Sequence, residues 1–283
     1  ILIIYFAVLI GIGLYCRKHA TDVNGFVLGG RSVGPWLTAF AYGTSYFSAV
    51  VFVGYAGQFG WKYGIAATWA GIGNAIIGSL LAWVVLGRRT RIMSQHLDSA
   101  TMPQYFGKRF GSNPLKIGAS VIIFIFLIPY TASLYNGLSR LFGMAFNIDY
   151  SVCIIIMATL TAIYVIAGGY MATAINDFIQ GIIMLFGIIA VIAAVIHSKG
   201  GFMSALQGLA NVSDPAVSNT PGIFASFFGP DPFNLLCVVI LTSLGTWGLP
   251  QMVQKFYAID NEASIQKGTV ISTIFALIVS GGC

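Results

Sequence analysis

Long apolar runs without a charged side chain follow one another along this chain, and several of them reach 18 or more residues. Each such run is long enough to cross the hydrocarbon core of a bilayer, which is about 30 Å thick. Only 8% of the residues are charged and 57% are hydrophobic, whereas a soluble domain carries roughly 25% charged residues. A span without water must pair its own backbone groups, so it is a helix or part of a closed barrel. The runs do not alternate apolar and polar residues, and we therefore predict an all-α polytopic membrane protein.

The apolar runs predict eight spans, numbered from 0, within one transmembrane transporter domain over residues 1–283. Span 6 is expected to be interrupted near Gly248 to Pro250, and span 7 runs to the end of the chain. Because the chain lacks a starting Met and stops at an apolar run, we expect a fragment, truncated after about eight transmembrane helices. The predicted spans are 0, Ile1 to Cys16; 1, Pro35 to Gly60; 2, Gly64 to Leu86; 3, Leu115 to Phe142; 4, Val152 to Ile166; 5, Thr173 to Ile196; 6, from Phe233; and 7, from Ser264.

The basic residues between the spans predict the orientation, because cytoplasmic connections carry an excess of Lys and Arg. With the N-terminus outside, the outer connections hold three basic residues, Lys62, Arg140 and Lys199. The inner connections then hold the other eleven, which are Arg17, Lys18, Arg31, Arg88, Arg89, Arg91, Lys108, Arg109, Lys116, Lys255 and Lys267. The split supports a multi-pass protein of the cell membrane. It also explains the net charge of +6 without nucleic-acid binding.

Two of the predicted spans contain residues that favour an opening of the helix in mid-membrane. Span 1 carries Gly, Ser and Thr residues over Ala41 to Ser48, and span 6 carries Pro250, which has no N–H group to donate. An opened helix offers carbonyl oxygens to a cation, and two openings five spans apart are typical of an inverted repeat. The alternative is that these small residues and the proline serve only close packing.

Asp177 is the one acidic residue within a predicted span. A carboxylate in a membrane helix costs roughly 2.5 to 3.5 kcal/mol on insertion scales and usually faces a cavity or a cation. Alternatively, Asp177 reaches the inner interface or helps to start its helix. Tyr130 and Asn136 in span 3, like Gln58 and Asn74, either line a central site or pack against neighbouring helices.

Several stretches resemble the sodium:solute symporter family, whose fold is that of the bacterial leucine transporter. Phe26 to Pro35 (FVLGGRSVGP) is similar to the start of the family's first core helix. Ala167 to Tyr170 (AGGY) with Asn176 to Gly181 (NDFIQG) resembles its fifth-helix signature, and Trp247 to Gln251 (WGLPQ) resembles the break in its sixth. The likeness covers nearly the whole chain, and an extra helix before the core, our span 0, is also a feature of the family.

The resemblance implies a sodium site on the carbonyl oxygens of Thr44 and Phe47, and it matches Asp177 to a carboxylate that serves a second sodium site in some members. It also implies that the solute lies between spans 1, 3 and 6. The residues expected near the solute are Ser48, Tyr130, Thr246 and Trp247.

Departures from the family's patterns bear on the solute. Proline-type members have an acidic residue at Tyr46 and a glycine at Ala49, and their sixth-helix aromatic residues fall on Thr242 and Thr246. Sugar-type members have a glutamine at Val51. Both substrates are therefore in doubt, and the stretches around Tyr46 to Gly64 and the Gly-Leu-Pro of span 6 look more like the sodium/pantothenate branch.

The expected function is sodium-coupled symport of a small organic solute of carboxylate, vitamin or amino-acid type, by alternating access. Sodium is the expected coupling ion, and the solute, Na⁺ and the lipid bilayer are the expected partners. No nucleophile, metal cluster or phosphate loop is evident in the sequence, so we do not expect an enzyme. Two alternatives remain: the membrane solute-sensing domain of a signalling protein, and a proton-coupled permease of the same fold.

Overall fold

The computed structural model describes residues 2–48 and 55–282, and its regular elements are all helical. Ala49 and Val51, at which departures from the family were noted, lie outside the described residues. The α-helices are α1 (Leu2–Cys16), α2 (Val23–Leu28), α3 (Pro35–Tyr46), α4 (Gly57–Tyr63), α5 (Thr68–Gly73), α6 (Arg88–His96), α7 (Met102–Phe110), α8 (Asn113–Phe146), α9 (Tyr150–Ser198), α10 (Phe202–Ala210), α11 (Pro232–Leu244), α12 (Pro250–Ala258) and α13 (Glu262–Gly281).

Long apolar helices confirm the predicted class of a multi-pass membrane protein. Four helical runs of the described residues are long and apolar enough to cross a bilayer, and two shorter apolar helices accompany them. The long runs are Gly57–His96, Asn113–Phe146, Tyr150–Ser198 and Glu262–Gly281, and the shorter helices are Ile4–Cys16 and Pro232–Leu244. Large side chains on α8 and α9, such as Phe124 and Phe186, are exposed on the outside of the bundle.

Polar side chains fix where several of these helices begin. The side-chain oxygens of Ser112, Asp149, Asp231 and Asn261 each accept a hydrogen bond from a backbone N–H in the first turn of the helix that follows. The first N–H groups of a helix have no partner within it, so these caps supply one. Proline stands in the first turn of both α8 and α11, where its missing N–H costs nothing.

The helix α9 consists of two spans joined by a sharp bend at Gly169. Its 49 residues would extend about 73 Å as a straight helix, far more than a bilayer core. Gly169 has φ 57° and ψ −148°, a backbone conformation open to glycine. The bend separates two helical spans where the sequence predicted spans 4 and 5. A Cβ atom at Gly169 would lie 2.8 Å from the carbonyl oxygen of Phe26.

Both of the predicted openings coincide with a helix end in the structure. The helix α3 ends at Tyr46, and Phe47 leaves the helical region with φ −94° and ψ 71°. The helix α11 ends at Leu244 and α12 begins at Pro250, so the chain between them is not α-helical. The opening in span 6 therefore begins three residues earlier than the sequence suggested.

The predicted span 2 is less regular than a simple α-helix. It includes two π-helical segments, Asn74–Leu81 and Trp83–Gly87. A π-helix shifts the backbone hydrogen bonds by one residue and is frequent at functional sites. The hydropathy pattern gave no indication of it.

The bundle is packed around aromatic side chains from α3, the π-helical segments, α12 and α13. The rings of Tyr42 and Trp83 lie 5.5 Å apart, and those of Trp83 and Phe256 lie 5.1 Å apart, both edge to face. Phe275 of α13 joins the same buried cluster. Spans 1, 2, 6 and 7 of the prediction therefore share one core.

We predict that Gly169→Ala destabilises the protein by about 1 to 3 kcal/mol, because the backbone conformation there suits glycine and the carbonyl of Phe26 crowds the added methyl group. The matched control is Gly187→Ala in the same helix, where a Cβ atom meets nothing within 4 Å. The melting temperature of the purified protein in detergent provides the measurement. Equal melting temperatures for the two variants would contradict the prediction.

Candidate functional site

A cavity of about 290 Å³ lies where α3 and α11 end. Its lining combines hydroxyl and aromatic side chains with glycine and alanine, and none of the described lining residues is charged. The polar side chains among them are Ser45, Tyr46, Ser48, Tyr55, Thr68, Asn74, Tyr130, Thr242, Thr246 and Ser280. Such a site offers hydrogen bonds to a small molecule but no fixed charge from these side chains.

The structure brings together three of the four residues expected near the solute. Ser48, Tyr130 and Thr246 line the cavity, and so does Asn74, for which the sequence left two interpretations open. Tyr130 comes from α8, which continues through Pro129. The two interrupted helices and α8 therefore share this cavity.

Trp247 is placed differently from the expectation and does not line the cavity. Its indole N–H donates a hydrogen bond to the carbonyl oxygen of Ile77 at 3.0 Å, and its ring packs against the aromatic core. The reason is the π-helical segment, which presents that carbonyl to the indole. Asn136 also lies outside the cavity lining, and its amide oxygen accepts hydrogen bonds from Arg140 at 2.9 Å and Tyr150 at 3.1 Å.

At the end of α3, the carbonyl oxygen of Thr44 has no helical partner among the described residues. The last helical hydrogen bond runs from the N–H of Phe47 to the carbonyl of Gly43 at 2.9 Å. Among the described residues, the carbonyl of Thr44 receives no corresponding bond from Ser48, because the chain has left the helix there. Carbonyl oxygens of this kind are suitable ligands for a hard cation.

Asp177 forms an ion pair that the sequence did not suggest. Its Oδ2 lies 3.5 Å from Nζ of Lys255, and the two side chains are only 23% and 8% exposed. The ammonium also lies 5.1 Å from the centre of the Tyr170 ring, at a distance typical of a cation–π contact. The ion pair joins α9 to α12, which is the second half of the second interrupted helix.

The position of Lys255 corrects the charge count used for the orientation. The sequence pattern assigned Lys255 to an inner connection, whereas the structure places it inside α12 with 6% of its surface exposed. Arg91 is buried as well, with 5% of its surface exposed, so nine of the eleven basic residues on the proposed inner side are not buried. Only the acidic residue of the ion pair lay within a predicted span, and nothing in the sequence pointed to its partner.

Gln251 is a further polar residue of the opening that sequence reasoning passed over. It follows Pro250 in α12, and both atoms of its amide are buried with no hydrogen-bond partner among the described residues. A buried amide without partners is costly. Gln251 does not line the cavity, and its amide therefore offers hydrogen bonds to a buried water molecule.

A many-helix membrane protein with two interrupted helices around an uncharged polar cavity has the architecture of a secondary transporter. The model of the sodium:solute symporter family matches residues 26–283. The chain belongs to this family. The expected resemblance is thereby confirmed over all but the first helix and the turn after it.

Two curated relatives are proline transporters. The chain is 30% identical over 278 residues to the osmoregulated proline transporter OpuE of Bacillus subtilis (strain 168), covering 97% of this chain and 54% of the relative. It is 32% identical over 274 residues to the sodium/proline symporter of Staphylococcus aureus (strain JH9), covering 93% of this chain and 50% of the relative. The chain thus spans about half the length of these relatives.

A solved structure confirms the fold. A Na⁺-coupled sialic acid symporter in a substrate-bound outward-open state superposes with a TM-score of 0.70 at 16% identity, covering 98% of this chain and 59% of that one. The predicted fold, an all-helical, leucine-transporter-like architecture, is therefore correct for the described part of the chain.

We predict that Lys255→Met destabilises the protein by about 3 to 5 kcal/mol, because it leaves the Asp177 carboxylate buried without a counter-charge. The double variant Lys255→Met/Asp177→Asn should recover most of that loss. The melting temperatures of both variants in detergent provide the measurement.

The control is Glu262→Gln, which breaks the exposed ion pair of Arg88 and Glu262, 2.7 Å long with side chains 71% and 52% exposed. Its loss should stay below about 1 kcal/mol. A double variant as unstable as Lys255→Met would contradict the interpretation that the charge is what needs a partner.

Proposed function

We propose that the protein containing this chain couples the inward movement of sodium to the uptake of a small organic solute by alternating access. The carrying observation is the uncharged, hydroxyl-lined cavity between two interrupted helices in a member of the sodium:solute symporter family. The proposed location of the protein is the cell membrane, with the N-terminus outside the cell.

Sodium is proposed to bind as cargo at the end of α3, on the carbonyl oxygens of Thr44 and Phe47. One feature of the structure fits this role: α3 ends there and, within the described part of the chain, the N–H of Ser48 donates no hydrogen bond to the carbonyl of Thr44. Sodium is a hard cation, and oxygen atoms from an opened helix suit it.

Asp177 is proposed as an additional sodium ligand. Its ion pair with Lys255 limits how sodium can bind there. Lys255 supplies the carboxylate with an ammonium at 3.5 Å, so sodium at this position must share the carboxylate or displace that ammonium. Either arrangement keeps a positive charge beside a buried carboxylate, which is what its desolvation requires.

The proposed solute is a small carboxylate, vitamin or amino acid, bound near Ser48, Tyr130 and Thr246. A cavity of about 290 Å³ lies at the lower end of the usual range for small-molecule sites, about 300 to 1,000 Å³. The uncharged lining means that a charged group on the solute would be met by sodium or by the ends of the opened helices. The proline transporters among the relatives make L-proline one candidate, although Tyr46, Thr242 and Thr246 depart from the proline-type pattern.

In the proposed cycle, α3, the π-helical segments, α11 to α12 and α13 move together against α8 and the first half of α9, residues 150–168. The shared aromatic core and a hydrogen bond between the hydroxyls of Ser79 and Ser272 at 2.8 Å support movement of the first group as one body. One positive charge crossing about 100 mV releases roughly 2.3 kcal/mol, which sustains about a fiftyfold solute gradient. The sodium gradient adds to this.

Two other functions would use the same fold: a membrane solute-sensing domain of a signalling protein, and a proton-coupled permease. A sensor would bind solute without net flux. A permease of that kind would respond to a proton gradient rather than to sodium.

Uptake into proteoliposomes containing the purified full-length protein tests the proposal. Radiolabelled L-proline, pantothenate and a neutral sugar are each presented with an inward sodium gradient, with potassium in its place, or with an inward proton gradient. We expect one solute to accumulate at least about tenfold more with sodium than with potassium, given the fiftyfold that one charge sustains. Accumulation that follows only the proton gradient, or binding without flux, would overturn sodium-coupled symport.

A sodium titration of uptake tests the proposed role of Asp177. In the charge-balanced variant Asp177→Asn/Lys255→Met, we expect the half-saturating sodium concentration to rise at least about fivefold, the effect of losing roughly 1 kcal/mol of interaction. Glu262→Gln is the matched control and should keep the parent value. An unchanged titration in the double variant would leave Asp177 with a structural role only.

A further inference from the structure

The hydroxyl of Tyr46 lies between the two helix interruptions. Tyr46 is the last residue of α3 and is 7% exposed. Its hydroxyl oxygen is 3.0 Å from the amide oxygen of Asn74 and 3.0 Å from the carbonyl oxygen of Thr242. Both neighbours accept hydrogen bonds, so the single phenolic proton is shared between the π-helical segment Asn74–Leu81 and the end of α11.

The hydrogen bonds continue from Asn74 to α11. The hydroxyl of Ser243 donates to the same amide oxygen at 3.1 Å, which thereby accepts two hydrogen bonds, the full capacity of a carbonyl-type oxygen. Tyr46, Asn74, Thr242 and Ser243 form a closed set of polar contacts, which we name the Tyr46 network. This network spans three separate helices at the wall of the cavity.

Its position along the chain connects the two proposed binding sites. Tyr46 stands between Thr44 and Phe47, whose carbonyls are proposed to bind sodium. Thr242 stands four residues before Thr246, at the last turn of α11 before the opening that is proposed to hold the solute. A change in the backbone at one opening therefore reaches the other through a single side chain.

The π-helical segment provides the space for this side chain. A Cβ atom on Gly78 would lie 2.8 Å from Cζ of Tyr46 and would collide with its hydroxyl group. Tyr42, one turn earlier on α3, donates its hydroxyl to the carbonyl of Gly78 at 2.9 Å. Tyr42 thus links α3 to the π-helical segment Asn74–Leu81 as Tyr46 does, but its hydroxyl makes no hydrogen bond to α11.

We propose that Tyr46 is a positioning residue that couples sodium at the end of α3 to the shape of the α11–α12 opening. The inference rests on the proposed function and adds which side chain links the sodium site to the opening between α11 and α12. A neutral hydrogen bond changes an equilibrium by about two- to tenfold, which overlaps the lower end of typical coupling between two sites, about 5- to 150-fold.

The test uses sodium alone as the probe and a cysteine reporter in the opening. Gly248 lies between α11 and α12, is exposed, and has nothing within 4 Å of an added Cβ atom. The reporter Gly248→Cys is introduced into full-length protein whose native cysteines are replaced by serine, and its rate of labelling by a maleimide is measured with NaCl or KCl. Sodium should change this rate at least about fivefold, the lower end of typical coupling.

In the Tyr46→Phe background we expect sodium to change the rate by less than about twofold, because the shared hydrogen bond is gone. The matched control, Tyr42→Phe, also loses one buried hydroxyl of α3 but should keep the parent effect. A general loss of stability would affect both variants alike, so the melting temperatures of the two are compared as well.

Gly78→Ala gives a second test in case Tyr46→Phe folds poorly. It pushes the hydroxyl away and should reduce the sodium effect as Tyr46→Phe does, while the two changes together should reduce it no further. A full sodium effect in folded Tyr46→Phe or Gly78→Ala would overturn the inference. If the parent reporter ignores sodium although uptake depends on it, the inference alone is wrong; if uptake itself ignores sodium, the proposed function fails.

Discussion

Unpaired backbone groups are costly inside a bilayer, and this constraint explains most of the irregular features of the chain. Where α11 ends, side-chain hydroxyls take the place of helical N–H groups: Tyr46 of α3 donates to the carbonyl of Thr242, and Thr246 donates to the carbonyl of Ser243. The π-helical segment beside them presents carbonyls of Ile77 and Gly78 to side chains of other helices. The interruptions are therefore supported from the side, which leaves oxygen atoms of α3 available to an ion.

The same reasoning applies to charge. Asp177 and Lys255 are both largely buried and neutralise each other between α9 and α12. The second half of α9, after the bend at Gly169, and α12 cannot move far from each other while this ion pair is closed, because each charge would then lack a partner. The polar side chains of the cavity are uncharged in contrast, so the strongest electrostatic contact among the described spans lies between helices and not toward the solute.

The hydropathy pattern and the positions of Gly and Pro were sufficient to predict a helical membrane protein, its spans and both helix openings. These features depend on local composition. The bent helix α9 illustrates why. Its apolar sequence is far too long to cross a bilayer once as a straight helix, and the Gly168-Gly169 pair lies at the bend. Contacts between distant residues were beyond such reasoning. Lys255 looked like a residue of a connection, and Trp247 looked like a residue of the cavity, since neither partner, Asp177 nor the carbonyl of Ile77, is near in sequence.

A density map of the full-length protein in sodium, at a resolution that reveals ions, tests the central claim most directly. The account predicts that both α3 and α11 end in mid-membrane with a cavity between them, and that an ion-sized peak lies within coordination distance of the carbonyls of Thr44 and Phe47. The peak should vanish when potassium replaces sodium. Two continuous α-helices without a cavity, or an open α3 whose carbonyls bind no ion in saturating sodium, would contradict it.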